Sequence, residues 1–383
     1  MRLHADIARS LVEVPAPEWD ALDTAGNPFL SHAFLEALES CGCVGGDSGW
    51  TPQHLLLRDD SGSLVAAVPR YAKAHSWGEF VFDWSWAQAY ARAGLDYYPK
   101  QLAAIPFTPV TGPRLLVRRS SDSRSLRLTL AESLRRDAAD QGHSGIHANF
   151  TTDDDQQALE AAGFLRRHDV RFLWRNRGYR DFADYLDSFR ADKRKKVRRE
   201  RRRVAESGIA FRSLAGESID RPTWQAIFAF SERTFLLHGN AHYLNATFLA
   251  EVARRRPGSV VVKVAERDGV AVAAAIFFQG GGTLYGRYWG SAGHEDSLHF
   301  EACYYQGIEH CIAHGLDQFD PGTQGEHKLA RGFEPTLTSS AHWVAHPGFL
   351  SALAGYLERE RAAVVDYAAA AAMHLPFQRG PAP

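Results

Sequence analysis

The sequence predicts an α/β (α+β) fold of two tandem units, each a mixed, mostly antiparallel sheet flanked by helices, and three observations carry that prediction. The chain has 383 residues, long for one domain of roughly 100–200 residues and suited to two. Its 45% hydrophobic and 23% charged residues make a foldable globular composition and exclude collagen-like, coiled-coil and wholly disordered chains. The third observation sets the architecture: one pattern of elements occurs twice, in the same order.

The repeat opens on a Trp-bearing segment, at Trp19 and again at Trp224, followed by an apolar-periodic helix at 32–38 and 246–252. Residues 55–68 and 262–275 then each read as two β-rich runs joined by a charged, Gly-bearing turn, which is a hairpin signal. A third aromatic strand is expected after each hairpin, at 79–84 and 284–289. At the far end, Gly163-Phe164 and Gly332-Phe333 each stand ten residues, counted from the Phe, before a Trp, at Trp174 and Trp343. A helix ending at Gly, a Phe entering the core and a returning strand explain this spacing. The boundary falls near Asn176-Arg177-Gly178, giving an N-terminal unit 1–176 and a C-terminal unit 177–383. Within the first unit, residues 97–113 form an insert whose Pro99, Pro106, Pro109 and Pro113 predict an ordered aromatic loop, not a helix or central strand.

Charge and composition narrow the function. Lys and Arg (44) balance Asp and Glu (45), for a net charge of −1, so no global field draws the protein to nucleic acid or anionic lipid. Four cysteines, Cys41, Cys43, Cys303 and Cys311, make no disulfide framework and suit a reducing compartment. Early charges and the lack of an apolar stretch of signal length predict a cytoplasmic protein. No membrane insertion is expected, since the Ala-rich stretch 362–372 is short and broken by Asp366 and Tyr367.

Three long strings carry a family resemblance: Tyr97-Tyr98-Pro99-Lys100 with Pro106-Phe107-Thr108-Pro109; Leu298-His299-Phe300-Glu301-Ala302-Cys303-Tyr304-Tyr305-Gln306; and Gln324-Gly325-Glu326-His327-Lys328 followed by Arg331-Gly332-Phe333. On these the chain resembles the FemAB-like predicted N-acyltransferases related to peptidoglycan biosynthesis, and each unit is similar to the GNAT acyltransferase fold. The resemblance implies transfer of an acyl group to an amine, a peptidoglycan precursor among the possible acceptors, and acyl-CoA as co-substrate, with aminoacyl-tRNA as the alternative donor.

Five regions could carry chemistry. Residues 320–331 hold Glu, His, Lys and Arg in a Pro- and Gly-bearing loop after the predicted strand 316–319, the place where ligands of open α/β sheets gather. There His327 suits a general base, Lys328 and Arg331 suit oxyanion donors, and Gln324 suits a substrate contact. The helix predicted over 298–314 adds Glu301 as a second base, with His299 and Tyr304 as substrate contacts; a His299–Cys303 metal pair lacks further ligands, so no metal is expected. Arg287, Gly290 and Ala292 match the GNAT Arg/Gln-x-x-Gly-x-Gly/Ala loop, and with Ser291 between them they are expected to bind the cofactor, since small residues let a pyrophosphate approach the backbone. In the first copy indoles replace that loop, and Trp84, Tyr97, Tyr98 and Lys100 are expected to shape an acceptor cleft. Finally, nine cations stand in the eleven residues from Lys193 to Arg203, a basic helix able to hold tRNA or a nucleotide-linked precursor. A non-catalytic module binding polyanions or cell-wall precursors is the competing reading.

Overall fold

The computed structural model describes residues 2–323 and 325–378. Among the described residues fifteen strands follow in chain order: β1 (His4–Ala8), β2 (Trp50–Pro52), β3 (His54–Arg58), β4 (Leu64–Val68), β5 (Arg70–Lys73), β6 (Lys100–Ala103), β7 (Leu116–Val117), β8 (Gly145–Thr151), β9 (Leu165–Arg175), β10 (Ile209–Ala215), β11 (Val260–Arg267), β12 (Val270–Gly280), β13 (Thr283–Ser291), β14 (Gln318–Asp320) and β15 (Glu334–Val344). They divide between two compact units. The first holds Met1–Asp169 with Leu337–Val365, and the second holds Val170–Thr336 with Asp366–Pro383. The units are thus discontinuous in sequence, unlike the single division expected near Asn176. The first passage falls inside β9, and β15 returns the chain to the first unit because its residues 339–344 pair with β8.

In the first unit β1, β3, β4 and β7 form an antiparallel sheet, while β2, β5, β6, β8 and the end of β15 follow one another in a second, with β6 and β8 parallel. The insert departs from expectation here. Lys100–Ala103 is an inner strand between β5 and β8, because the prolines flank it at Pro99 and Pro106 and cost it no ladder donor. The third strand expected at 79–84 is absent; residues 74–83 are irregular and a helix begins at Trp84. Leu55, Leu57, Val65, Leu130, Leu134, Ile146 and Phe164 fill the core of this unit.

The second unit builds β10 to β13 as an antiparallel meander, then adds β14 parallel to β13 and the end of β9 antiparallel to β14. The tight β11–β12 hairpin turns at Asp268 and Gly269, both at positive φ, the backbone of a type I′ turn. Phe277, Phe319, Tyr305, Ile308, Trp174 and Phe333 form its core. Both returning strands arrive as the sequence predicts: Gly163 (φ 90°) and Gly332 (φ 78°) end their turns, Phe164 and Phe333 are buried, and Trp174 and Trp343 lie on β9 and β15. The repeated helices are capped alike. Ser31 accepts from Phe34 N–H ahead of His32–Ser40, and Asn245 accepts from Phe248 N–H ahead of Ala246–Arg255, satisfying a free helix-start donor each time.

Candidate active site

β13 and β14 run side by side only through Thr283–Tyr285 and Gln318–Asp320. There β14 ends, while β13 continues to Ser291, and the chain beyond Asp320 turns through Pro321 and Gly322. In the β12–β13 ladder Ile276 faces Tyr288 and Phe277 faces Gly286, so Arg287 is the extra residue of a β-bulge, a device that re-aims side chains next to sites. Arg171, from β9, donates to Asp320 Oδ1 at 2.6 Å, and Gly322 N–H donates to the same oxygen at 3.0 Å. Lys328 reaches into this turn and donates to Gly322 O at 2.7 Å.

Lys328 is only 2% exposed. Burial pulls its pKa down to about 7, because the nearby Asp320 carboxylate compensates only in part and Arg171 adds like charge. The next side chain, His327, lies at the surface. Its Nε2 is 2.8 Å from Tyr304 Oη, so a proton taken by either group can pass to the other. Partial burial first, then the charges of Lys328 and Arg331, hold the imidazole below its ordinary pKa, while burial pushes the Tyr304 phenol up and keeps it protonated. His299 packs edge-on against Tyr304 with ring centres 5.4 Å apart, and burial lowers its pKa to about 4. Gly325 is required at φ 114°, since a Cβ there would stand 2.1 Å from the His327 ring.

The helix expected over 298–314 carries a wide π turn at Glu301–Tyr305, between Leu298–Phe300 and Gln306–His314. Such turns occur often at functional sites. Glu301 looks away from His327 and pairs with Arg201 through both oxygens, at 3.1 and 3.0 Å. It lines a separate groove of about 860 Å³ with Phe182, Arg198, Arg202 and Glu309. The expected base thus has its own cation and stands apart from the His327 dyad. Cys303 has its thiol pKa raised by burial, the condition of an inert cysteine.

Arg331 also departs from its expected role. It is 3% exposed, pairs with Glu200 at 2.8 and 2.9 Å, donates to Tyr305 Oη at 3.0 Å and His327 O at 2.8 Å, and lies over the Phe300 ring at 3.5 Å. Its fork is committed to holding the loop. Arg287, Gly290 and Ser291 lie within β13, not in a phosphate loop, and Ala292 N–H continues the ladder to Val272 O. A Cβ on Gly290 would meet Phe230 O at 1.9 Å. The glycine admits the backbone of the helix Arg221–Leu237, and that packing explains the small residue without a pyrophosphate. Gln324 lies outside the described residues.

In the first unit, Lys100 is fully buried and donates to Ser76 Oγ at 2.9 Å and Glu79 at 2.8 Å, and it is hydrogen-bonded to Asp83. Tyr97 donates to Asp83 at 2.6 Å. Lys100 and Tyr97 therefore belong to an internal ion cluster, not the wall of a cleft. Tyr98, beside Ser76, and Trp84, edge-on to the exposed Trp77 at 5.3 Å, are half-buried. Among the described residues no group of three or more His, Cys, Asp or Glu could hold a metal, and no helix is long and apolar enough to cross a membrane.

Reasoning from sequence missed Arg171 and Glu200. Arg171 sits in the returning strand of the other repeat, some 150 residues before Asp320, and gives no local signal. Glu200 gives one, being the sole acid between Lys193 and Arg203 and sharing a helical face with Val197 and Val204.

Two units of this build, with a polar loop beyond the last parallel strand of the second, define a tandem GNAT-like α/β protein. The chain belongs to the FemAB-like family, described as peptidoglycan biosynthesis/recognition, which matches residues 10–379. FemX shares the fold at 11% identity, with 92% of this chain and 100% of that chain covered and a TM-score of 0.54. The C-terminal domain of a putative lysylphosphatidylglycerol synthetase from Agrobacterium fabrum gives 13% identity, 91% and 96% coverage and a TM-score of 0.54. L-PGS from Bacillus licheniformis gives 12%, 84% and 95%, and 0.50. No curated protein matches the chain.

Proposed function

We propose that the protein is an N-acyltransferase that moves an acyl or aminoacyl group from an activated ester or thioester to an amine, with peptidoglycan precursors as the acceptor class. The observation that carries this reading is the meeting of His327, Tyr304 and Lys328 beyond the end of β14. In the reaction the amine nitrogen attacks the donor carbonyl, a C–N bond forms, and the bond to the leaving oxygen or sulfur breaks. The ammonium proton passes to His327 Nε2, directly or by way of the Tyr304 hydroxyl bonded to it, and the leaving group takes up a proton. Lys328, charged in part near pH 7, supplies the cation for the oxyanion.

For the donor, aminoacyl-tRNA is favoured. The basic helix Ala191–Glu206 presents exposed Lys195, Lys196 and Arg199, whereas Gly290 is taken up by packing. Acyl-CoA stands as the second reading on one observation: Ala292 and Gly293, small and exposed, follow directly on β13.

Purified protein is incubated with a panel of acyl-CoAs and, separately, of charged tRNAs, together with nucleotide-linked muramyl peptides and simple amines, and products are read by mass spectrometry. Salt-sensitive transfer from charged tRNA is expected. Transfer from acyl-CoA alone reverses the donor assignment, and binding without transfer from either class overturns the enzyme reading in favour of a binding module.

A further inference from the structure

The basic helix contains one acid between Lys193 and Arg203, and that acid is buried. Glu200 lies with Val197 and Val204 on the inward face of the helix, 7% exposed, where it receives Arg331 Nη2 on both oxygens and the Tyr305 hydroxyl. Arg331 in turn donates to the carbonyl of His327. Glu200, Arg331 and His327 therefore form one continuous hydrogen-bonded chain from the helix to the proton-accepting loop. On the outward face, Lys195, Lys196 and Arg199 are exposed. Several neighbouring cations already hold acids of this unit: Arg201 with Glu301 and Glu309, Arg203 with Asp296, and Arg194 and Arg198 with Asp187.

We propose that Glu200 is a positioning residue that links polyanion binding on the basic helix to the catalytic loop: a phosphodiester chain seated on Lys195, Lys196 and Arg199 fixes the helix, and the Glu200–Arg331 pair passes that restraint to His327. The proposal rests on the reading of His327 as the base. Two consequences separate it from simple packing. First, the link is electrostatic as well as mechanical. The groups around His327 are Lys328, Arg331, His299 and Tyr304, with Glu326 turned to Tyr367. Among them Arg331 is the cation that Glu200 neutralises, so removing the Glu200 charge exposes His327 to a full positive charge and moves its titration further down. Second, coupling through a restrained pair needs the pair, so a variant lacking both charges still binds polyanion and transmits nothing.

The test uses the full chain and a short RNA oligomer as probe, and reads the rate at which diethyl pyrocarbonate modifies His327, peptide by peptide, across pH. In the wild type, saturating RNA is expected to slow modification about fivefold, the lower range of ordinary coupling between sites. Glu200→Gln is expected to shift the His327 midpoint downward. If that variant folds poorly because Arg331 is left unpaired, the double variant Glu200→Gln, Arg331→Gln removes both charges and keeps amides in their places. The double variant is expected to bind RNA with unchanged affinity and salt slope, and to show no slowing of His327 on binding. Reversal of Lys195, Lys196 and Arg199 to Glu abolishes RNA binding and flattens the salt dependence. Equal protection of His327 in the wild type and the double variant would show direct occlusion and overturn the proposal, as would unchanged RNA binding after the charge reversal. The readout needs no turnover, so a failure of the transfer assay strikes the proposed activity and leaves this measurement standing.

Discussion

Two lysines, one in each unit, are buried to nearly the same degree and have opposite electrostatics. Lys100 in the first unit is opposed by burial, but Glu79 and Asp83 outweigh that cost and hold its pKa above the ordinary value. Lys328 in the second unit meets the same burial with a carbonyl oxygen for a partner, because Arg171 already holds the one near carboxylate, Asp320, and its pKa falls to about 7. The number of carboxylates left for the amine decides between a permanent structural ion and a group that can exchange a proton at working pH.

The sharpest way to break this comparison is to delete each amine. Lys328→Met is expected to cut turnover by about 10²–10³, the cost of a lost oxyanion donor, with melting temperature held or raised. Lys100→Met leaves Glu79 and Asp83 buried without their cation and is expected to lower stability by about 3–5 kcal/mol, with specific activity of the folded fraction unchanged. Chemical denaturation beside single-turnover assays separates the two. If Lys328→Met unfolds the protein while its folded fraction transfers normally, the contrast fails.

The pH dependence of stability sharpens it. Between pH 8 and 10 the unfolded chain keeps a proton on Lys328 that the folded protein has released, so wild-type stability rises with pH relative to Lys328→Met, by about 2–3 kcal/mol over those two units. Lys100 titrates above its unfolded value, so both states keep its proton over this window and the lysine adds no slope of its own. Urea midpoints of the wild type and Lys328→Met at pH 8, 9 and 10 give the slope; a difference that does not grow with pH would sink the distinction.

The smallest expected effect concerns the proton path. Tyr304→Phe removes the hydroxyl beside His327 and is expected to reduce turnover about tenfold or more, within the range of a single proton-transfer partner, with donor KM little changed. An unchanged rate with a normal pH profile would assign the proton to His327 alone.

What the sequence discloses follows the range of the physics involved. The hairpins and the two Gly-Phe turns are legible because an Asp-Gly turn or a helix-ending glycine acts within a few residues of itself. The loop at 320–331 is legible for the same reason, its polar groups being neighbours in sequence. Gly290 misleads because the backbone it accommodates, at Phe230, comes from a helix about sixty residues upstream, and a glycine needed for close packing has the same letter as one needed for a phosphate. The strand at Lys100–Ala103 hides between prolines that look prohibitive and in fact only bracket it. Arg171 is silent because its partner, Asp320, is paired across the sheet and not along the chain.

The π turn at Glu301–Tyr305 acts as a phase shifter. In an unbroken helix the positions of Glu301, Tyr304 and Tyr305 would fall within a narrow arc, and all three would face the same neighbours. The wider turn sends Glu301 to Arg201 and Tyr305 to Glu200, both on the basic helix, while Tyr304 meets His327. The assignment of tyrosines to partners is thus stored in a residue count: shortening this segment by one rotates everything beyond it by about 100°, leaving every side chain chemically intact and facing the wrong correspondent.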